Sequence, residues 1–252
     1  GGIDDATNHV PAAVFRRQED IEGYFTVLRQ VVKTKGIPLS LYHDKHTIFL
    51  SPKKEAESIE GQLAGERPLT QVGRALLELG ITSIPADSPE AKGRIERLWR
   101  TFQDRVTTEL RLAEATTLEE AQVVLRHYNH RFVVPAAEAE SAYRPVDPDL
   151  DLATVFCLKH TRTVGRDNVV QFKRRRLQIL PSCERTSYAR TRVQVHERMN
   201  GTLAIYHNGI RLSTTTAPLE ASVLRVPYMA SGDGEPNQAT HTFTRQPAAH
   251  KP

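Results

Sequence analysis

Apolar residues recur at three- and four-residue intervals through the first half of the chain and in short alternating runs through the second. Ile21, Phe25, Leu28 and Val32 fall on one helical face, so a helix is expected over 20–33, closed by Gly36 with Pro38 just beyond. A second helix is expected over 69–79, ended by Gly80, and a third and longest over 90–110. Ile95, Trp99, Phe102, Val106 and Leu110 form the stripe of that third helix, with Ser88 as N-cap and Pro89 in its first turn. A fourth helix over 117–132 begins with Thr117 and Glu120 at capping-box spacing. Short strands are expected at 39–42 and 81–84, and VPAAVF at 10–15 reads as one arm of a hairpin whose other arm holds Ile3. Strand alternating with helix points to a layered α/β unit.

After residue 135 the pattern changes. Residues 136–154, rich in Ala, Pro, Glu and Asp, read as a linker. Short strands follow at 169–172, 177–180, 192–196, 202–206 and 210–212. They are separated by Gly165-Arg166-Asp167-Asn168, Asn200-Gly201 and Asn208-Gly209, the last two being strong hairpin signals. Five short strands with tight turns predict a small β-barrel-like domain over 155–215. Ser, Gly, Pro, Gln, Thr and His dominate the end of the chain, and 216–252 is expected to be largely disordered.

Charge sharpens this division. The chain of 252 residues carries a net +4, yet the span 159–211 holds twelve Lys/Arg against three Asp/Glu. That is +9, leaving −5 for the remainder. A basic module joined to a mildly acidic one fits a separate polyanion-binding unit. Lys173-Arg174-Arg175-Arg176 is its densest run. Four consecutive side chains cannot share one face of a regular strand, so part of the run should lie in a turn or bulge. The two cysteines, Cys157 and Cys183, form no C-x-x-C pair and read as small buried hydrophobes in strands. No run is long and apolar enough to span a membrane, and no secretory signal opens the chain. It starts at Gly1-Gly2-Ile3-Asp4-Asp5 without an initiator methionine, so the beginning of the protein is expected to lie upstream.

Two acids stand out by position. Asp44 follows the strand at 39–42, and Glu96 sits one to two turns into the longest helix, with Lys92 and Arg100 on its face. Carboxylates at a strand end and on an adjoining helix can converge on Mg²⁺, a hard cation that prefers oxygen. Equally, Asp44 can cap a turn, and Glu96 can pair with its basic helix neighbours. Gly93 inside a helix costs about 1 kcal/mol against Ala, which suggests a close approach there. His43, His46, His127 and His130 lack zinc spacing and read as satisfied polar side chains. Without a Gly-rich phosphate loop or a G-x-S-x-G elbow, nucleotide hydrolysis and serine catalysis have no motif support.

SPEAKGRIERLWRTFQDR, residues 88–105, resembles the third-acid region of DDE transposases and retroviral-type integrases: a Ser-Pro, a Gly, a Glu three residues later, then a basic helix. LYHDKHTIF at 41–49 resembles the second-acid region, and its Asp44-Lys45-His46 is similar to ISNCY-type insertion-sequence transposases. YNHRF at 128–132 resembles the Tyr-Asn-x-Arg motif after the catalytic core. The 52 positions between Asp44 and Glu96 exceed the family's spacing, and the charged stretch 53–69 would be an insertion. The resemblance implies an α/β ribonuclease-H-like (integrase-type) catalytic core over 1–135, N-terminally truncated, followed by the small β-barrel-like domain. It implies Asp44 and Glu96 as catalytic residues and ligands of Mg²⁺ or Mn²⁺. The first acid would lie upstream of residue 1, with Asp4 or Asp5 as the alternative.

The implied partners are transposon-end and target DNA, with Lys92, Arg94, Arg100, Lys173, Arg174, Arg175 and Arg176 as DNA contacts. The resemblance further implies a homo-oligomer in the intact protein, no membrane, and a cytoplasmic, nucleoid-associated place in a bacterium. Three functions stay open. The chain is a fragment of a transposase that cuts and joins DNA, a catalytically inactive remnant that binds DNA only, or a protein-binding structural domain.

Overall fold

The computed structural model describes residues 1–51, 68–86, 89–137, 140–183 and 185–217, the side chains of 89–92, 94 and 95 excepted. The expected insertion over 53–69 lies almost wholly outside these residues, as do Ser88 and the expected tail from 218 onward.

Helix α1 (Ile21–Lys35) begins where Asp20 accepts the Gly23 N–H at 2.7 Å. Arg16 hydrogen-bonds the same carboxylate and holds it below its ordinary pKa. Phe25, Leu28 and Val32 are buried on one side of the helix, Val27 and Val31 on another. Gly36 ends it at φ 101°, where a Cβ would lie 2.5 Å from the Arg144 carbonyl oxygen, so backbone conformation and space both require glycine. β1 (Ile37–Pro38) and β2 (Ser40–His43) follow. Helix α2 (Gln71–Glu78), capped by Thr70, crosses over to β3 (Thr82–Pro85), which pairs parallel with β2 from Ser40↔Thr82 to His43↔Pro85. α1, α2 and the residues around Phe49 and Ile81 enclose the first core.

Helices α3 (Pro89–Leu112) and α4 (Leu118–Phe132) pack across a second core of Phe102, Val106, Leu125 and Tyr128. The capping box of Thr117 and Glu120 is complete. Val10 and Ala13 join this core, while Ala12 turns to Val27 and Val31 of α1. The N-terminal hairpin thus lies between helix layers. It makes only one bridge, Gly2↔Ala12, where a strand over 10–15 was expected. The reason is visible on α4. Asn129 takes both the N–H and C=O of Val10, each at 2.8 Å, and Gln122 takes the Ala13 carbonyl at 2.8 Å. Amide side chains satisfy backbone groups that a neighbouring strand would otherwise pair.

The stretch expected to be a linker is built into this unit. β4 (Tyr143–Arg144) pairs antiparallel with β1, and the Arg144 guanidinium donates to the Leu79 carbonyl. The short helix α5 (Leu152–Val155) brings Val155 and Phe156 into the first core.

Among the described residues the β module comprises seven strands: β5 (Cys157–Thr163), β6 (Val169–Phe172), β7 (Arg175–Ile179), β8 (Arg192–Arg198), β9 (Leu203–His207), β10 (Ile210–Leu212) and β11 (Thr214–Thr216). They form two antiparallel sheets, ordered β10-β9-β8-β5 and β11-β7-β6, over a shared core that includes Val170, Ile179, Val195 and Ile205. Where five strands of a barrel-like module were expected, the described residues form seven strands in two sheets; β5 and β11 were missed because they lack the apolar runs that marked the other strands. Cys157 is buried in β5 as expected, whereas Cys183 is exposed in a loop rather than buried in a strand.

Candidate functional site

β2 and β3 end side by side. The Ala86 N–H donates to the His43 carbonyl at 2.9 Å, so Asp44 emerges at the edge from which α3 rises three residues after Ala86. His43 is buried, stacked on Phe49 at 4.1 Å and hydrogen-bonded to Ser83 Oγ at 2.7 Å, a satisfied core histidine. Asp44 is exposed and accepts the His46 N–H at 3.2 Å, the geometry of a turn cap. Glu96 is exposed on α3, as is Arg100. The side chains of Lys92 and Arg94 lie outside the described residues.

No three His, Cys, Asp or Glu side chains among the described residues gather closely enough to hold a metal ion. Asp4, one alternative for the first acid, closes a turn by accepting from the Ala6 and Thr7 N–H groups at 3.0 and 3.1 Å. It also accepts from Tyr143, whose hydroxyl pKa is pushed up to about 12 by burial and then by this carboxylate. Gly93 does not mark a close approach: among the described residues a Cβ there would meet only the Arg97 guanidinium, at an ordinary 3.7 Å. The motif over 128–132 has structural work. Tyr128 is buried, Asn129 holds Val10, and Arg131 pairs with Glu109 at 2.6 Å. A cleft of about 240 Å³ opens beside the hairpin, lined by Ile3, Val10, Arg97, Arg105 and Tyr128 among others, and contains neither Asp44 nor Glu96.

In the β module the basic run straddles a tight turn. Lys173, at φ 54°, and Arg174 form the two-residue loop between Phe172 and its partner Arg175. Lys173 pairs with Glu197, Arg175 donates to the Gly201 carbonyl at 2.9 Å, and Arg176 lies 3.7 Å from Asp167. Arg174 is exposed at the tip and has no partner among the described residues.

A joint between the two regions was missed by the sequence reading. Gln71 of α2 donates to the Lys159 carbonyl at 2.8 Å and accepts the Lys159 N–H at 3.0 Å. Arg74 donates to the carbonyls of Val155 and Cys157 at 3.1 and 2.6 Å, and Glu78 meets Lys159 Nζ at 2.7 Å. Burial raises the Cys157 thiol pKa. Beside it His196 is buried and its pKa falls to about 4, through desolvation first and then the charges of Lys159 and Arg74. Ion pairs and backbone bonds of this density hold β5 against α2.

The described residues thus form a layered α/β unit, with one exposed carboxylate at a strand end and another on the adjoining helix, joined to a basic two-sheet module. Comparison with known proteins gives this arrangement a relationship. The chain is 33% identical over 213 residues to a Sinorhizobium fredii protein named "Putative transposase y4bF", covering 82% of this chain and 45% of that one. It is 38% identical over 130 residues to the transposase for insertion sequence IS1202 of Streptococcus pneumoniae, covering 52% of this chain and 27% of that one. No family model matches. The chain spans less than half the length of these relatives. The partial matches link it to the transposase and integrase superfamily and single out no subtype within it. No helix of the described residues is long and apolar enough to cross a membrane.

Proposed function

We propose that this chain is a DNA-holding portion of a transposase, gripping duplex DNA by its phosphates through the β module. The observation that carries the reading is the excess of cations over 159–211, including Arg174, at an exposed turn and without a partner among the described residues, in a chain with transposase relatives. Phosphate contacts of this kind fix position and carry no sequence information. They also displace condensed counterions, so affinity falls as a power of salt concentration. A labelled 20-base-pair duplex of arbitrary sequence, titrated with the chain between 50 and 200 mM salt, tests this. Four phosphate contacts predict a loss of about 100-fold over that range. Affinity indifferent to salt overturns the reading.

A catalytic role is the second reading, favoured by the placement of Asp44 and α3 at one edge of the β2–β3 pair. The described carboxylates do not by themselves form a divalent-metal site. Asp44 and Glu96 would be two of the oxygen ligands for Mg²⁺ or Mn²⁺, which supplies Lewis-acid stabilisation at a phosphodiester when bound, and a third ligand is required. Lys92, Arg94 and Arg100 would hold the phosphate backbone beside them. On this reading the core is ribonuclease-H-like and the intact protein acts on transposon ends and target DNA as a homo-oligomer. The run Asp44-Lys45-His46 is what supports an ISNCY-type assignment. Calorimetric titration with Mn²⁺ checks the ligand assignment. Binding that D44N and E96Q each abolish supports the pair, and binding that neither variant weakens removes it.

A further inference from the structure

The four-stranded sheet has two faces, and register separates them. His160, Val195, Ile205 and Leu212 lie in one row across β5, β8, β9 and β10, and the last three belong to the module core. The next row, Thr161, Gln194, Tyr206 and Arg211, therefore points the other way, as do Thr163 and Arg192 opposite each other beyond it. Burial agrees: Arg192 and Gln194 are exposed on either side of buried Val193, and Arg211 is exposed beside buried Leu212.

One half of this outer face is covered. Lys159, in the adjoining row, meets α2 through Gln71 and Glu78, and its row partner His196 is buried. β5 crosses α2 from the turn of Arg74, which binds the Cys157 carbonyl, to the turn of Gln71, which binds Lys159. Thr161 and Thr163 then run on past the helix N-terminus. Thr70, at that N-terminus, is hydrogen-bonded to the Phe49 carbonyl, and Phe49 stacks on His43 next to Asp44. The uncovered half of the sheet thus projects at the edge of the α/β unit that carries Asp44.

Its side chains are Thr161, Thr163, Arg192, Gln194, Tyr206 and Arg211, with no carboxylate among them. Neither guanidinium has an ion-pair partner among the described residues. Tyr206 has one side of its ring against His196, centroids 4.0 Å apart and 21° between planes, and its hydroxyl has no partner among the described residues. Two strands apart and two residues along, Arg192 and Arg211 are separated by about 12 Å at the backbone.

Resting on the DNA-holding reading, we infer that this uncovered sheet face is a second DNA-contacting surface, one that carries duplex DNA toward the Asp44 edge. Arg192 and Arg211 engage phosphates along one strand, and the Tyr206 hydroxyl, Gln194 and the two threonines donate to phosphate oxygens between them. Two cations without an ion-pair partner among the described residues complement a phosphate backbone. The surface is distinct from the Lys173-Arg174 turn. That turn lies on the core side with Glu197, near the Gly201 hairpin, at the other end of β8 from Arg192.

The test measures binding of the full chain to a labelled 20-base-pair duplex by fluorescence anisotropy across a salt series. R192Q/R211Q should weaken binding about tenfold and reduce the log–log salt slope by about 2, and Y206F should weaken it about threefold. R192K/R211K should stay within about twofold of the unaltered chain, because a phosphate contact needs charge more than fork geometry. If the lysine pair loses as much as the glutamine pair, the loss is structural and the inference falls. If R192Q/R211Q binds normally while K173Q/R174Q does not, DNA is held at the turn alone. The outer face is then excluded and the DNA-holding reading stands. If the unaltered chain shows no salt-dependent binding, both fail together.

Discussion

The α/β unit and the β module place their conspicuous charges under opposite conditions. In the α/β unit the two conspicuous acids are exposed, Asp44 is engaged in a turn, and no three candidate metal ligands gather among the described residues. In the β module, Arg174 at the turn and Arg192 and Arg211 on the outer sheet face have no ion-pair partner among the described residues, on strands whose positions a shared core fixes. Holding a polyanion needs only such a surface. Phosphodiester chemistry needs several oxygens placed to within a fraction of an ångström. On the proposed reading the two regions differ in how much each can supply alone, and the contacts of Gln71, Arg74 and Glu78 brace one against the other.

The largest effect should come from the β module's core. Ile205 is fully buried between the two sheets, so I205A should cost about 2–5 kcal/mol. Calorimetry should show the loss, and DNA affinity should fall with it. DNA affinity that survives unfolding of the module would place the binding surface elsewhere. R74A comes next. It removes charge-assisted bonds to the Val155 and Cys157 carbonyls and should cost about 1.5–3 kcal/mol. Faster amide exchange should then appear around Lys159. Unchanged exchange there would mean the two regions are not braced through α2.

His196 makes the joint sensitive to acid. Its folded pKa of about 4 lies below the ordinary 6.5, so the neutral ring is favoured in the native state. The stabilisation is complete above pH 6.5 and is lost as pH falls through that value toward 4, on the order of 2 kcal/mol. Melting curves between pH 7 and 4 should fall more steeply for the unaltered chain than for H196Q. Parallel curves would remove His196 from the account. The smallest effect concerns the acids: D44N should shift stability by no more than about 0.5 kcal/mol and should not lower DNA affinity. A marked loss of binding would show that Asp44 is tied to the DNA surface after all.

The helices were legible because their signals are local. Asp20, Thr117 with Glu120, and the stripes of α1 and α3 announce themselves within one or two turns. The parallel pairing of β2 with β3 was not legible, since it depends on a crossover whose partners are 42 residues apart. β5 escaped because its core-facing positions include His160 and Arg162, which cover Phe172 rather than forming an apolar run. The joint was hidden because nothing near Gln71 or Arg74 signals a strand 88 residues later. The outer face was partly within reach. Asn208-Gly209 implies a two-residue turn, which sets His207 opposite Ile210 and Tyr206 opposite Arg211. Extending that row to Gln194 and Thr161 required the register of two further strands.

The measurement that tests the central claim most directly is hydrogen exchange of the whole chain with and without a saturating 20-base-pair duplex. The account predicts slowed exchange over 171–176 and across 192–211, with α1 and α4 unchanged. Protection confined to the α/β unit, with the β module exchanging as freely as before, would contradict it.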